Sequence, residues 1–409
     1  MFSIETTFNT KILAKILFFI DSQYKNYSVL YSSLITSYSG SKSIIAFDMI
    51  ENIESLIYLK NKLSAKTNHK FFGYFSYECF VKNNFDRTPT NSLNFQYYRN
   101  HINICHKTNT IKFELTDKKL YQDILDFDFL LRDCNSSPID NSSNMTDDEF
   151  KRYVQEIKKD ILNGEYYQLN LTRKFFGKFE KDINKVNLFL KLSQEFPSPY
   201  SALLRRGNQY MISSSPERFI TIDNNIIKSR PIKGTLKKTL SENDLQKLAN
   251  SSKDKAENLM IIDLMRNDLS LSAKQGSVKT GPLYEIDEFA NLLHMSTNVT
   301  AIKDDNCSNL DVITNAFPPA SMTGAPKHEV IKKISELEKL PRGIYSGAIG
   351  YFDNNNSCDF NVVIRTIIFQ ENKFEYQVGG GITYDSDPEL ELAETNIKAA
   401  KIRKVLRLT

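Results

Sequence analysis

Between Tyr210 and Val378 the chain carries strand-like runs of β-branched and aromatic residues, some separated only by short polar turns. Phe219 to Ile222 and Ile226 to Ile232 flank Asp223-Asn224-Asn225, and Gln370-Glu371-Asn372-Lys373 lies between Phe360 to Ile368 and Phe374 to Val378. Connections this short return the chain antiparallel, because a parallel neighbour needs a crossover of a dozen or more residues. Tyr210 to Ser213 and Gly347 to Phe352 read as further strands. Helical periodicity covers Glu242 to Ala249, Lys253 to Met265, Pro326 to Leu337 and Pro388 to Leu406. The expected class is α+β, with largely antiparallel sheet.

The first 130 or so residues add short strand-like runs, Ser43 to Phe47, Phe71 to Tyr77 and Ile111 to Glu114, without a catalytic cluster. The run Ile12 to Ile20 is interrupted by Lys15 and stops at Asp21. It is too short to span a bilayer and reads as a buried strand or helix. Asn135 to Ser143, rich in Asn, Ser and Asp, reads as a linker or long surface loop. A helix follows, with Thr146 as N-cap, Glu149 completing a capping box, an apolar stripe of Phe150, Tyr153, Ile157 and Ile161, and Gly164 at its end.

Composition excludes more than it identifies. A chain of 409 residues with 41% hydrophobic and 25% charged residues has ample material for a buried core. A net charge of +4, with Lys and Arg interleaved with Asp and Glu, argues against a nucleic-acid surface. Cys79, Cys105, Cys134, Cys307 and Cys358 are scattered without a CxxC pair, which suggests neither disulfides nor zinc and fits a reducing cytoplasm.

Chemistry concentrates in the carboxyl-terminal half. Lys233 sits in Arg230-Pro231-Ile232-Lys233-Gly234-Thr235; burial there would favour the neutral, nucleophilic amine, whereas a solvated lysine would be unremarkable. Asp254 and Glu257 share one helix face, and Glu391 and Glu394 share another, with Lys398 one turn on. Either pair alone is compatible with a solvated helix face. Facing each other, the four carboxylates would call for a hard cation such as Mg²⁺. Gly379-Gly380-Gly381 ends a strand and would let backbone amides approach a ligand, and Ser321 to Lys327 leads into a helix start suited to a carboxylate. Both segments could equally be tight structural turns. Arg365 lies in a β-branched strand and, if buried, needs an anionic partner. His294 and Tyr345 are polar groups in apolar surroundings, each compatible with a satisfied core role.

Taken in order, these segments resemble the chorismate-utilising family, which includes anthranilate synthase component I, aminodeoxychorismate synthase component I and the isochorismate and salicylate synthases. The resemblance rests on SPERF (Ser215 to Phe219), PIKGT, DKAENLMIIDLMRNDL (Asp254 to Leu269) and HMSTNV (His294 to Val299). It continues through TGAPK, GIYSGAIGY (Gly343 to Tyr351), DFNVVIRT (Asp359 to Thr366) and GGGITYDSDPELELAETNIK (Gly379 to Lys398). It covers roughly Asp147 to Arg407; before that only Phe72 to Glu78 looks like the family's Gly-Tyr-x-Ser-Tyr segment.

The resemblance implies two packed, largely antiparallel sheets flanked by helices, an α/β/β/α sandwich. Residues 145–409 would be the catalytic domain, and residues 1–135 would resemble the anthranilate synthase amino-terminal part. Anthranilate synthases usually carry alanine where this chain has Lys233, so the implied branch is the aminodeoxychorismate synthases, transferases that serve p-aminobenzoate and folate synthesis. By the same resemblance Glu257 and Glu394 would bind Mg²⁺ directly, with Asp254 and Glu391 acting through its waters. Ser321, Thr323, Tyr345, Arg365, Gly380, Gly381 and Lys398 would hold chorismate. Lys233 would be the nucleophile, Glu217 the general acid and His294 a polar support. No Cys-His-Glu glutaminase segment flanks the match, so a separate glutamine amidotransferase subunit would supply ammonia. The alternatives are anthranilate synthase component I and a non-catalytic chorismate-binding regulatory subunit.

Overall fold

Both short polar turns return the chain antiparallel, setting Ile222 opposite Ile227 and Phe369 opposite Phe374. Asn224, Asn225 and Glu371 turn there with φ of 49°, 63° and 58°; asparagine is among the few side chains that enter this left-handed region readily. The computed structural model describes residues 2–36, 38–65, 67–81, 92–129, 136–237, 243–289 and 292–408. Within them nineteen strands join in one hydrogen-bonded network, which folds into two layers.

One layer runs through Lys42–Ile53, Asn26–Tyr31, Tyr200–Arg206, Gln209–Ser215, Thr366–Gln370, Lys373–Ile382 and Gln168–Phe179. The other runs through Leu93–Cys105, Lys70–Phe75, Ala348–Asp353, Ser357–Val362, Arg218–Asp223, Ile226–Arg230 and Val299–Ile302. The long strands Lys42–Ile53 and Leu93–Cys105 pair with each other and join the layers. Tyr74 and Ile349 of the second layer meet Ala202, Leu204, Met211 and Ile368 of the first in one buried cluster. Helices Thr10–Gln23, Lys185–Glu195 and Pro388–Leu406 cover the first layer's outer face. Leu56–Ser64, Ser252–Ser270 and Asn309–Ala316 cover the second. The helix–sheet–sheet–helix order is the expected one. Strands on either side of the polar stretch near residue 140 share this network, since Asn26–Tyr31 pairs with Tyr200–Arg206 and Lys70–Phe75 with Ala348–Asp353.

Three sequence expectations need correction. The run Ile226 to Ile232 is two strands: Ile226–Arg230 belongs to the large network, and Ile232–Lys237 opens a separate three-stranded sheet with Leu292–Ser296 and Glu285–Phe289. Pro231, with no N–H to donate to a ladder, marks the crossing. The run Phe360 to Ile368 also divides, because Arg365 takes a φ of 52° and a left-handed residue cannot continue a strand. Part of the supposed linker, Pro138–Ser143, is a strand paired with Gln168–Phe179. Its polar, exposed residues suit a sheet margin, and its proline sits at the first position, where a missing donor costs least. Asn135 lies outside the described residues.

Helix ends follow their local signals. The Ile12 run becomes the helix Thr10–Gln23 with Asn9 as N-cap. Thr146 and Glu149 form the reciprocal capping box at the start of Asp147–Leu162, and Gly164 turns away beyond its end with φ of 83°. Among the described residues no helix is long and apolar enough to cross a membrane.

Arg342, 1% exposed, ties these layers together beneath the cleft. Its Nε and Nη2 donate to the two Glu338 carboxylate oxygens at 2.9 and 2.7 Å. Nη1 donates to the Met322 carbonyl at 2.6 Å, and Nη2 to the Asn170 carbonyl at 2.7 Å. Glu338 also accepts from the Thr172 amide and hydroxyl, both at 2.9 Å. Removing one member leaves the other as an unpaired buried charge. Arg342→Met is therefore expected to lower unfolding free energy by about 3–5 kcal/mol in a urea titration; a loss below about 1 kcal/mol would show that the pair does not hold the layers.

Candidate functional site

Lys233 stands on a β-bulge. The register against Leu292–Ser296 shifts between Lys233 and Thr235, and Gly234 absorbs the extra residue with φ of 72°. A Cβ at Gly234 would come within 3.0 Å of the Asp254 side chain, so the bulge lies directly against the helix Ser252–Ser270. Lys233 is half-buried rather than sealed in apolar surroundings. Its Nζ donates to the Ser321 carbonyl at 3.4 Å, and its charge acts on Glu217, Glu257 and Glu394. With carboxylates acting on it and its side chain half-buried, the lysine is neither sealed in apolar surroundings nor freely solvated, the two possibilities the sequence left open.

Glu217 lies between the strands Gln209–Ser215 and Arg218–Asp223 and is 4% exposed. Its amide donates to Ser215 Oγ at 3.3 Å, and its carbonyl accepts from the Val362 amide at 3.0 Å, which fixes its backbone. Burial pushes its carboxyl up to about 7, against the opposing pull of the Ser321 hydroxyl, Lys233 and Arg365. The Ser321 hydroxyl closes no geometric hydrogen bond, so its influence is that of a nearby dipole. Arg365 lies over the Phe196 ring at 5.5 Å; burial lowers its guanidinium to about 10, with Glu217 opposing. His294 is 1% exposed and held neutral, its pKa lowered to about 3 by burial and by Arg365 and Lys401.

Three of the four carboxylates, Glu257, Glu391 and Glu394, lie against the glycine strand, while Asp254 lies against Gly234. A Cβ at Gly380 would lie 3.4 Å from Glu391 Oε2 and 3.9 Å from Glu394 Oε1, and one at Gly381 would lie 3.5 Å from Glu257 Oε2. The glycines close the strand Lys373–Ile382, followed in it only by Ile382, and remain paired with Gln168–Phe179. Lysines bridge the acids: Lys253 Nζ is 3.3 Å from Glu391 Oε1, and Lys398 Nζ is 2.8 Å from both Glu394 Oε1 and the Gly379 carbonyl. The environments push the acids apart. Burial raises Glu257, with Asp254 and Glu391 adding repulsion against the pull of Lys233 and Lys253. Lys398 holds Glu394 below the ordinary carboxylate range against the effect of burial.

Among the described residues no three His, Cys, Asp or Glu side chains close on a common point at metal-ligating distance. The donor chemistry nevertheless suits a magnesium ion, because the groups gathered along Gly380 and Gly381 are the carboxylate oxygens of Glu257, Glu391 and Glu394.

Thr323 bonds within its own loop, and Tyr345 is buried near an ion pair. The Thr323 hydroxyl donates to the carbonyls of Ala320 and Pro319 at 3.2 and 3.4 Å. Tyr345 is 4% exposed, and the charges acting on it are Arg342 and Glu338. Several motif residues bind one another. Lys327 donates to Asp268 Oδ2 at 2.6 Å and to the Ala316 carbonyl at 2.9 Å; Arg218 grips both Asp359 oxygens at 3.0 and 2.9 Å.

Gln168 was missed from sequence. It is 1% exposed, its Nε2 lies 2.1 Å from where a Gly381 Cβ would be, and its Oε1 has no partner. Its side chain therefore lies over Gly381, beside Glu257, with an unused acceptor. A neutral amide in a strand gives no charge or spacing signal by which to find it.

The family of chorismate binding enzymes matches residues 17–404, and the chain belongs to that family. It is 39% identical over 271 residues to aminodeoxychorismate synthase component 1 of Escherichia coli, covering 65% of this chain and 59% of that protein. It is 34% identical over 267 residues to anthranilate synthase component 1 of Lactococcus lactis, covering 64% and 58%. The chain thus spans less than two thirds of the length that these relatives have. The fold is shared with anthranilate synthase component I from Streptococcus pneumoniae, at TM-score 0.77 and 23% identity over 91% of this chain and 94% of that one. It is shared also with MenF, the menaquinone-specific isochorismate synthase from Escherichia coli, at TM-score 0.80 and 17% identity over 99% and 94%.

Because burial raises Glu217, it keeps its proton below about pH 7 and loses it above. Difference infrared titration of the protein against Glu217→Gln should show a protonated-carboxyl band that disappears with a midpoint near 7; a midpoint near 4.5 would mean that the group stays solvated.

Proposed function

We propose that this chain is the component I type of aminodeoxychorismate synthase, joining chorismate and ammonia to give 4-amino-4-deoxychorismate and water. The observation that carries the reading is Lys233 itself, an amine at the bulge among Glu217, Glu257 and Glu394. Similarity to aminodeoxychorismate synthase component 1 from Escherichia coli and Salmonella typhimurium, each at 39% identity, supports it.

The chemistry follows from the side chains. The Lys233 amine adds at C2 of the ring as the C4–O bond breaks, and Glu217 donates its proton so that water rather than hydroxide leaves. The new C2 ammonium returns a proton to the Glu217 carboxylate, ammonia adds at C4, and the ring electrons shift back as the C2–N bond breaks, the proton shed by the new C4 ammonium passing to the departing lysine nitrogen. Lys233 and Glu217 are thereby restored. Arg365, positively charged and half-buried beside Glu217, offers a partner for a substrate carboxylate, and Ser321 offers a buried hydroxyl with no other bond. Glu257 and Glu394, supported by Asp254 and Glu391, would hold a magnesium ion, which would supply a Lewis acid for the ring carboxylate. Ammonia would come from a glutamine amidotransferase subunit, as the component 1 names of the relatives suggest.

A second reading is favoured by the match to the Lactococcus lactis anthranilate synthase. It predicts anthranilate and pyruvate from the same substrates. Mass spectrometry of products from chorismate, Mg²⁺ and ammonium separates the two: aminodeoxychorismate without pyruvate supports the first reading, and stoichiometric pyruvate overturns it. Lys233→Ala is expected to keep chorismate binding and lose most product formation, whereas full activity would remove the covalent step. Glu394→Gln is expected to abolish magnesium-dependent turnover; an unchanged magnesium dependence would exclude that residue from the metal site.

A further inference from the structure

Arg230 is the last residue of its strand in the large network before the chain crosses, through Pro231, into the small sheet bearing Lys233 and His294. Its guanidinium crosses with it. Nε donates to Asp287 Oδ2 at 3.1 Å, Nη2 reaches both Asp287 oxygens at 2.8 and 3.0 Å, and Nη1 donates to Glu285 Oε2 at 2.9 Å. Asp287 also accepts from the Ser296 hydroxyl. Glu285 and Asp287 flank Ile286, and Ile286, Met295 and Lys233 form one row across the three strands. The clamp therefore grips the small sheet on both sides of the lysine's own row.

Among the described residues, that sheet's buried apolar cluster is Leu248, Leu293 and Met295 with a few partly buried neighbours, smaller than the clusters lining the two layers. Apolar contact is non-directional, whereas a bidentate Arg–carboxylate pair fixes angle as well as distance. Arg230 is 7% exposed, and the Tyr38 ring from the amino-terminal region covers its guanidinium at 4.1 Å. That cover keeps water from the ion pair, and the Tyr38 hydroxyl lies near enough to Asp287 for that carboxylate to act on it, so ring and hydroxyl both face the clamp.

We propose that Arg230 is a positioning residue for Lys233: its grip on Asp287 and Glu285, under Tyr38, orients the small sheet so that the lysine amine reaches Glu217. This rests on the reading of Lys233 as nucleophile. The effect falls on kcat, because misplacing a bound reactant's partner by about 1 Å costs about a hundredfold in rate without weakening binding. Arg230→Met is expected to lower kcat about a hundredfold with KM for chorismate within about threefold. Arg230→Lys, which restores charge but not the fork, should recover only part of the rate. Tyr38→Phe, which keeps the ring over Arg230 but loses the hydroxyl near Asp287, should lower kcat less than Tyr38→Ala.

The test is steady-state kinetics of these variants and of Lys233→Ala with chorismate and ammonium. Thermal unfolding runs alongside, together with mass-spectrometric mapping of how fast an acylating reagent labels Lys233. A fall in kcat with altered Lys233 labelling and an unchanged folded fraction supports the proposal. It is overturned if Arg230→Met turns over at the wild-type rate, or if activity only tracks the folded fraction across Arg230→Lys and Tyr38→Ala. If Lys233→Ala is active, the nucleophile reading falls and takes the proposal with it; if Lys233→Ala is dead while Arg230→Met is normal, only the proposal falls.

Discussion

A charged group completely inside a protein must be answered locally, and Arg342 is answered by three separate parts of the chain at once. Its five N–H donors reach Glu338, the Met322 and Asn170 carbonyls and the Ser346 hydroxyl. Each partner belongs to something the cleft needs. Met322 lies between Ser321, whose carbonyl receives Lys233, and Thr323, whose carbonyl accepts from Asn170. Asn170 lies two residues along the strand from Gln168, which covers Gly381. The Arg342 carbonyl in turn accepts from Gln377, on the glycine strand itself. One guanidinium thus sets the spacing between the serine loop and the glycine strand, and the carboxylates gather against that strand.

The site above it is a problem in charge balance. Three acids within reach of one lysine could all be ionised at neutral pH, but their surroundings separate them. Glu217 is shielded from water and holds its proton up to about pH 7, while Glu394, beside Lys398, is held ionised. Divergent carboxyl environments of this kind assign acid and ligand roles without any difference in residue type. Lys253 and Lys398 answer the carboxylates directly, so acids that would otherwise repel one another stay gathered on a folded helix pair.

Local signals were easy to read and long-range ones were not. The Thr146 box, the asparagine turn at 224–225 and the proline-led helix Pro388–Leu406 depend on neighbours within a few residues, so sequence reveals them. The strand breaks at Pro231 and Arg365 interrupt runs that remain β-branched on both sides, and what selects the break is tertiary. Asp287 lies 57 positions from Arg230, and the Arg365 carbonyl accepts from the Ser214 amide. Lys253 sits next to Asp254, yet its partner Glu391 is 138 positions away, a contact no helical spacing rule contains. Arg365 was legible as a charge inside a β-branched run and Glu217 only through the family resemblance; Gln168 was not, because an amide in a strand carries no such signal.

The bulge at Gly234 brings these strands of argument together. A regular strand would leave successive side chains on alternating faces, and its register would be set by the sheet alone. Inserting one left-handed glycine lets Lys233 depart from that alternation while Asp254 packs close beneath the backbone. The lysine's direction is then set by the meeting of three constraints: the bulge, the helix face bearing Asp254 and Glu257, and the Arg230 clamp on the far strand.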